Sequence, residues 1–242
     1  MTAAEPDLGL PTADSLRTLP RERLKVAQDV AASVAQELRG PVFAITSAAQ
    51  LLRYRLTDDP VVEKNIGRIM REVERLNALV STLLEYGRPE PVRFAPANPD
   101  EVWQRVLFEL RGALEAKALL ATHNPANPSV VREIDTEQLA VAFSNALVNA
   151  IDAAPEGSDL DIRSAVDADG RWSSILRNDG PPVPPEVLSR AFEPLVSTKP
   201  GHAGVGLAIA HRVVSDHGGG ICIESTLGRG TTLTFTLPAS HG

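Results

Sequence analysis

The sequence has a single cysteine, Cys222, so no disulfide can form within one chain and a cysteine-based zinc site is excluded. A reducing compartment suits such a chain, and a cytoplasmic location is expected. There is no run of about 18 apolar residues and no basic-then-apolar N-terminus, so neither a membrane span nor a signal peptide is expected. Any partner that connects the chain to a membrane, such as a separate sensor protein, would then be another molecule. A surplus of positive charge is missing too: 24 Lys and Arg stand against 31 Asp and Glu, a formal net charge of −7, and the cations are scattered. Binding a nucleic-acid backbone requires clustered cations that displace counterions, so that class is disfavoured.

What is present is enough apolar content, 43% of 242 residues, to bury a core in one large domain or two modest ones. Residues 1–21, with Pro6, Pro11 and Pro20, read as a flexible lead-in. From there Ala27, Ala31, Val34, Leu38, Pro41, Ile45, Ala48 and Leu52 recur at alternating spacings of four and three, a heptad stripe in which Pro41 should kink the helix. Thr57-Asp58-Asp59-Pro60 supplies a turn. Val62, Ile66, Ile69, Val73, Leu76, Val80 and Leu83 then repeat the spacing. Two such helices make an antiparallel hairpin over residues 22–90 whose spare apolar edge suits a four-helix bundle with a second copy. A charge at Ile69 or Val73 should break that pairing. The competing reading packs both helices on the rest of their own chain.

Arg88-Pro89-Glu90-Pro91 marks a boundary, and residues 91–242 change to mixed helix and strand. Helices are predicted at 100–115, 136–153, 185–192 and 205–217, and strands at 130–134, 160–166, 172–176, 221–225 and 231–237. The fold class is α+β: a helical hairpin followed by an α/β sandwich with helices on one face of a sheet.

Within the second part, Asn145 and Asn149 share a helix face, and amide oxygens suit Mg²⁺ once phosphates supply the negative charge. Taken alone they read more readily as solvent-facing amides. Asn178-Asp179-Gly180-Pro181-Pro182 follows at a strand end, where a polar side chain can meet a base edge and Gly180 leaves it room, although taken alone an ordinary Gly/Pro loop is the preferred reading. Phe192-Glu193-Pro194 leads through Ser197-Thr198-Lys199 to Gly204-Val205-Gly206-Leu207, a glycine-rich turn opening a helix, as a polyphosphate requires. Its spacing matches neither a P-loop nor a Rossmann turn.

In this order, and with Gly228-Arg229-Gly230-Thr231 before the last strand, the set resembles the N, G1, F and G2 boxes of the ATP-binding domain of sensor histidine kinases. Ala32-Ser33-Val34-Ala35-Gln36-Glu37-Leu38-Arg39-Gly40-Pro41-Val42 resembles the H-box of that family's dimerisation and phosphotransfer hairpin. The resemblance implies a Bergerat-type sandwich, ATP and Mg²⁺ as cofactors, a homodimer, and a response-regulator receiver domain as partner. It further implies Mg²⁺ at Asn149 and Asn145, the adenine amino group at Asn178 beside Gly180, a lid carrying Ser197, Thr198 and Lys199, phosphates near Gly204 and Gly206, and a water-mediated adenine contact at Thr231. Glu37 stands where the family places its general base.

Three departures bear on activity. Gln36 occupies the phosphoacceptor position, and a carboxamide nitrogen is delocalised and non-nucleophilic where imidazole is a nucleophile. All five histidines lie outside the hairpin. Gly40 has no side chain to orient a water for phosphatase chemistry. Asn178 replaces an aspartate, and Pro182 the second glycine of that box. The expected protein is therefore an ATP-binding transmitter core of the protein-histidine kinase family, blocked in autophosphorylation. It would be a natural pseudokinase or a kinase whose acceptor was replaced. The rivals are a non-enzymatic module that docks a response regulator, and more distantly a serine kinase of the anti-sigma type or a topoisomerase-like ATPase.

Overall fold

The computed structural model describes residues 21–55, 60–87, 91–194, 196 and 204–239, with only part of the side chains along the two long helices. The expected lead-in, the turn at 57–59, the 88–90 boundary and the Ser197–Lys199 lid segment lie outside the described residues, as does the side chain of Glu37.

Helix α1 (Arg21–Arg55) runs through Pro41 without a break, and α2 (Pro60–Gly87) pairs with it as the predicted hairpin. The seam departs from the expected stripe. Among the described side chains, the buried ones are Ala35, Val42 and Ala49 in α1 and Ile66, Val73 and Val80 in α2. Both rows repeat every seven residues, and the small Ala35 and Ala49 let the backbones approach closely. Val34, Leu38, Ile45 and Leu52, read from the sequence as the core stripe, are 38–46% exposed together with Ile69 and Leu76. Two helices meet along one seam only, and the alanines occupy it, so the bulkier residues are left on an open edge. Val34 is not buried, and Val73 is used up inside the hairpin, so only Ile69 of the expected pair is open to a partner.

The remainder comprises β1 (Ala95–Ala97), α3 (Pro99–Glu109), α4 (Arg111–Ala116), β2 (Leu120–Asn124), β3 (Arg132–Ile134), α5 (Thr136–Ala153), β4 (Asp159–Val166), β5 (Trp172–Asn178), α6 (Pro185–Leu188), α7 (Gly206–Asp216), β6 (Gly220–Thr226) and β7 (Gly230–Leu237). Five strands form a mixed sheet in the order β2-β4-β5-β7-β6, parallel only between β2 and β4; β1 and β3 pair separately. The predicted long helix at 100–115 is interrupted at Leu110, and β1 and β2 were not anticipated.

Local chemistry fixes the helix starts. Asn98 caps α3 by accepting from the Asp100 amide with Pro99 at the first turn, and Asp135 caps α5 by accepting from the Glu137 and Gln138 amides. The core lies between the sheet and helices α3, α5 and α7. Trp103 stacks on Phe143 with ring centroids 4.0 Å apart, and Phe235 meets both rings edge-on. Beside them the buried Asp100 carboxylate accepts from Trp172 Nε1 and the Ala126 amide and lies 3.2 Å from His123 Nε2. Burial alone would raise its pKa, but these hydrogen bonds, that with His123 foremost, outweigh burial and hold it below the ordinary value.

Candidate functional site

Strand alternation brings the two base-end residues together. Along β5, Trp172, Ser174, Leu176 and Asn178 are buried on the face that carries the helices, while Arg177 turns outward. Asn178 is paired in register with Thr231, the first inward residue of β7, so both point into the gap between sheet and helices. Asp179 faces away: its carboxylate accepts from Arg177 Nη2 at 2.9 Å on the exposed surface.

That gap opens into a cleft of about 570 Å³. One wall is the outer face of α5, with Asn145, Val148, Asn149 and Asp152; the core face of the same helix carries Phe143, Ala146, Leu147 and Ala150. The facing wall is Pro181–Pro184, Val187 of α6, Ala191, Val196 and the turn Gly204–Leu207 that opens α7. Ile223 and Thr231 close the sheet side. Flat apolar walls with a few polar groups at the ends suit a purine with phosphates attached.

Several contacts hold the frame. Lys117 Nζ donates to the carbonyls of Ile151 and Asp152, capping the C-terminal end of α5, whose own last turn carries no basic residue. The Val183 amide donates to Ser225 Oγ at 2.9 Å, and that hydroxyl lies 2.9 Å from Thr231 Oγ1, tying the proline loop to the sheet. Gly180 is required by close approach: a Cβ there would sit 2.6 Å from both the Ala153 carbonyl oxygen and Asn178 Nδ2. Gly206 likewise lies against Asn145, since a Cβ would come 2.8 Å from its Oδ1. Asn145 Nδ2 donates to the Val141 carbonyl, which turns its oxygen toward that glycine.

Asn178 is 4% exposed, and its Nδ2 is among the buried polar atoms with no hydrogen-bond partner in the described structure. A buried amide left without a partner is costly, and at a cleft wall a ligand that completes it is one explanation. No group of three or more His, Cys, Asp or Glu that could hold a metal occurs among the described residues. A divalent ion here would rely on amide oxygens, phosphates and water, a donor set that fits Mg²⁺. His211, on α7 behind the cleft, packs against Phe192 with ring centroids 5.2 Å apart, and burial lowers its pKa from the ordinary value.

Of the residues the sequence singled out, Asn145, Asn149, Asn178, Gly204, Gly206 and Thr231 line one cleft, and Gly180 adjoins it. Gln36 is exposed on α1 and forms no part of the cleft lining. Asp152 was missed, although its position three residues after Asn149 on the same helix face could have found it. The apolar wall from Val187, Ala191 and Ile223 was missed as well. It is assembled from two distant segments, Val187 and Ala191 at and just after α6 and Ile223 on β6, which only the fold brings together.

Comparisons with known proteins agree with this architecture. Residues 27–91 match the His Kinase A (phospho-acceptor) domain, and residues 134–241 match the histidine kinase-, DNA gyrase B- and HSP90-like ATPase family. The chain is 30% identical over 224 residues to the sensor histidine kinase ZraS of Klebsiella oxytoca, covering 92% of this chain and 48% of that protein. It is 28% identical over 236 residues to the sensory histidine kinase/phosphatase NtrB of Rhodobacter capsulatus, covering 92% and 65%. The chain thus spans about half the length of the curated relatives it matches. Among solved structures, histidine kinase ThkA in complex with response regulator protein TrrA superposes with a TM-score of 0.68 at 26% identity, over 90% of this chain and 64% of that one. Full-length ShkA in complex with AMPPNP shares the fold, with a TM-score of 0.68 at 22% identity over 91% and 46%. A phospho-acceptor hairpin followed by an ATPase sandwich places this chain in the sensor histidine kinase family of two-component signalling.

Proposed function

We propose that the chain is a homodimeric, cytoplasmic transmitter core that binds Mg·ATP and docks a response-regulator receiver domain, with autophosphorylation blocked because Gln36 stands at the acceptor position. The observation that carries the reading is the convergence of residues from four separate segments on one cleft with an unpartnered buried amide in its lining. Asn149, with Asn145 behind it, would hold Mg²⁺, which when bound neutralises phosphate charge. Asn178 would meet the base, Thr231 would contact it through water, and Gly204 and Gly206 would pass the phosphates. Ser197, Thr198 and Lys199 would close over them.

The acceptor side follows from chemistry. Gln36 is exposed on α1, as a phosphoacceptor must be, but its amide nitrogen has no usable lone pair. Glu37 would be the base beside it. The test pairs two measurements. Mg·ADP should raise the melting temperature of the chain, and γ-labelled ATP should leave no acid-labile label on it. Label on the unaltered chain would show that the acceptor is elsewhere. Failure of any nucleotide to shift melting would favour a module that binds a response regulator without ATP.

A further inference from the structure

We propose that the base end of the cleft accepts 6-oxopurine nucleotides about as well as adenine nucleotides, with Asn178 as the residue that removes the discrimination. The proposal rests on the nucleotide reading of the cleft and extends it to the substrate class.

Three observations support it. Asn178 lines the cleft from the end of β5, nearly fully buried, so a base meeting it does so out of water. Its Nδ2 forms no hydrogen bond in the described structure, so no bond holds the amide in one of its two orientations, and a half-turn exchanges donor and acceptor. The neighbouring carboxylate that could have imposed a preference, Asp179, is turned outward onto Arg177.

The hydrogen-bond patterns then decide. Adenine presents a 6-amino donor beside an N1 acceptor, whereas hypoxanthine and guanine present a 6-oxo acceptor beside an N1–H donor. An ionised aspartate offers acceptors only and would leave the 6-oxo group facing a negative oxygen. A carboxamide pairs with either edge through two bonds, Oδ1 accepting and Nδ2 donating, by choosing its orientation. The other polar groups in the lining do not restore the distinction. The Thr231 hydroxyl donates or accepts as required, and the Asp152 carboxylate can accept from the amino group of adenine or from N1–H of a 6-oxopurine.

The test is calorimetric titration of the full chain with Mg·ADP and with Mg·IDP, whose base carries the 6-oxo group without a further amino substituent. The expected result is two dissociation constants within about tenfold of each other. In Asn178→Asp the IDP affinity should fall at least about tenfold relative to ADP, because the 6-oxo group then faces a carboxylate where the carboxamide had offered a donor. ADP binding with IDP more than tenfold weaker on the unaltered chain overturns the proposal and leaves the nucleotide site standing. If neither diphosphate binds, the nucleotide reading itself falls. An unchanged IDP/ADP ratio in Asn178→Asp, with ADP still bound, shows that Asn178 does not set the preference.

Discussion

Gln36, Asn149 and His211 each carry a separable consequence. Gln36→His places an imidazole on an exposed face of α1, next to Glu37. If the ATP site is competent, that change alone should yield acid-labile, base-stable label from γ-labelled ATP, read by autoradiography after alkaline transfer. Asn149→Asp puts a fixed carboxylate where phosphates would lie, and the repulsion should weaken Mg·ADP by roughly tenfold or more in titration calorimetry. His211 has a folded-state pKa below the ordinary 6.5, because burial disfavours its charged form. Below pH 6.5 the unfolded chain therefore takes up a proton that the folded chain refuses. The stability cost is absent above that pH and grows as pH falls toward the folded value, at up to about 1.4 kcal/mol per pH unit. In His211→Gln, urea midpoints measured from pH 7.5 to 5.5 should fall less steeply than in the parent.

At the scale of elements, periodic burial was the legible signal. Helix α5 and strands β4–β7 carry dense apolar alternation that only one secondary structure satisfies, and the sequence places them within two residues of where they lie. Strand β2, Leu-Ala-Thr-His-Asn, is a sheet edge with little buried surface, and β1 is Ala-Pro-Ala. Neither has an apolar run to announce it, because pairing with distant β4 and β3 defines them. The α1 seam was misread for a related reason: side-chain bulk pointed to Val34 and Leu38, whereas the close helix contact selects Ala35, Val42 and Ala49. In the site, those residues named from motif order that the structure describes between Asn145 and Thr231 line or adjoin one cleft, while the apolar wall was missed because Val187 and Ala191 meet Ile223 only in the fold. Substitution separates the two rows of α2. Val73→Asp should unfold the hairpin, seen as lost helical ellipticity, since it buries a charge in the single-chain seam.

On the scale of the whole molecule, the exposed row Val34, Leu38, Ile45, Leu52, Ile69 and Leu76 is the apolar edge that a second copy would cover. Ile69→Glu should shift the chain from dimer to monomer in light scattering while keeping its ellipticity, at a cost of about 2 kcal/mol of buried apolar surface per protomer. A chain that is monomeric at micromolar concentration before any change would end the homodimer proposal.

The sheet order also has a temporal meaning. Strand β7 comes after every other strand of the sheet in chain order, yet it lies inside the sheet, hydrogen-bonded to β5 on one side and β6 on the other, and it supplies Leu233, Phe235 and Leu237 to the core. A nascent chain that stops before Gly230 has every other strand but no ladder to join β6 to β5, and Asn178 lacks its partner Thr231. The hairpin is built mainly from contacts between two helices adjacent in sequence, whereas the sandwich needs β7 before its sheet can join. Nucleotide binding would therefore report completion of the sandwich, since a chain clipped before Gly230 lacks both the ladder and Thr231.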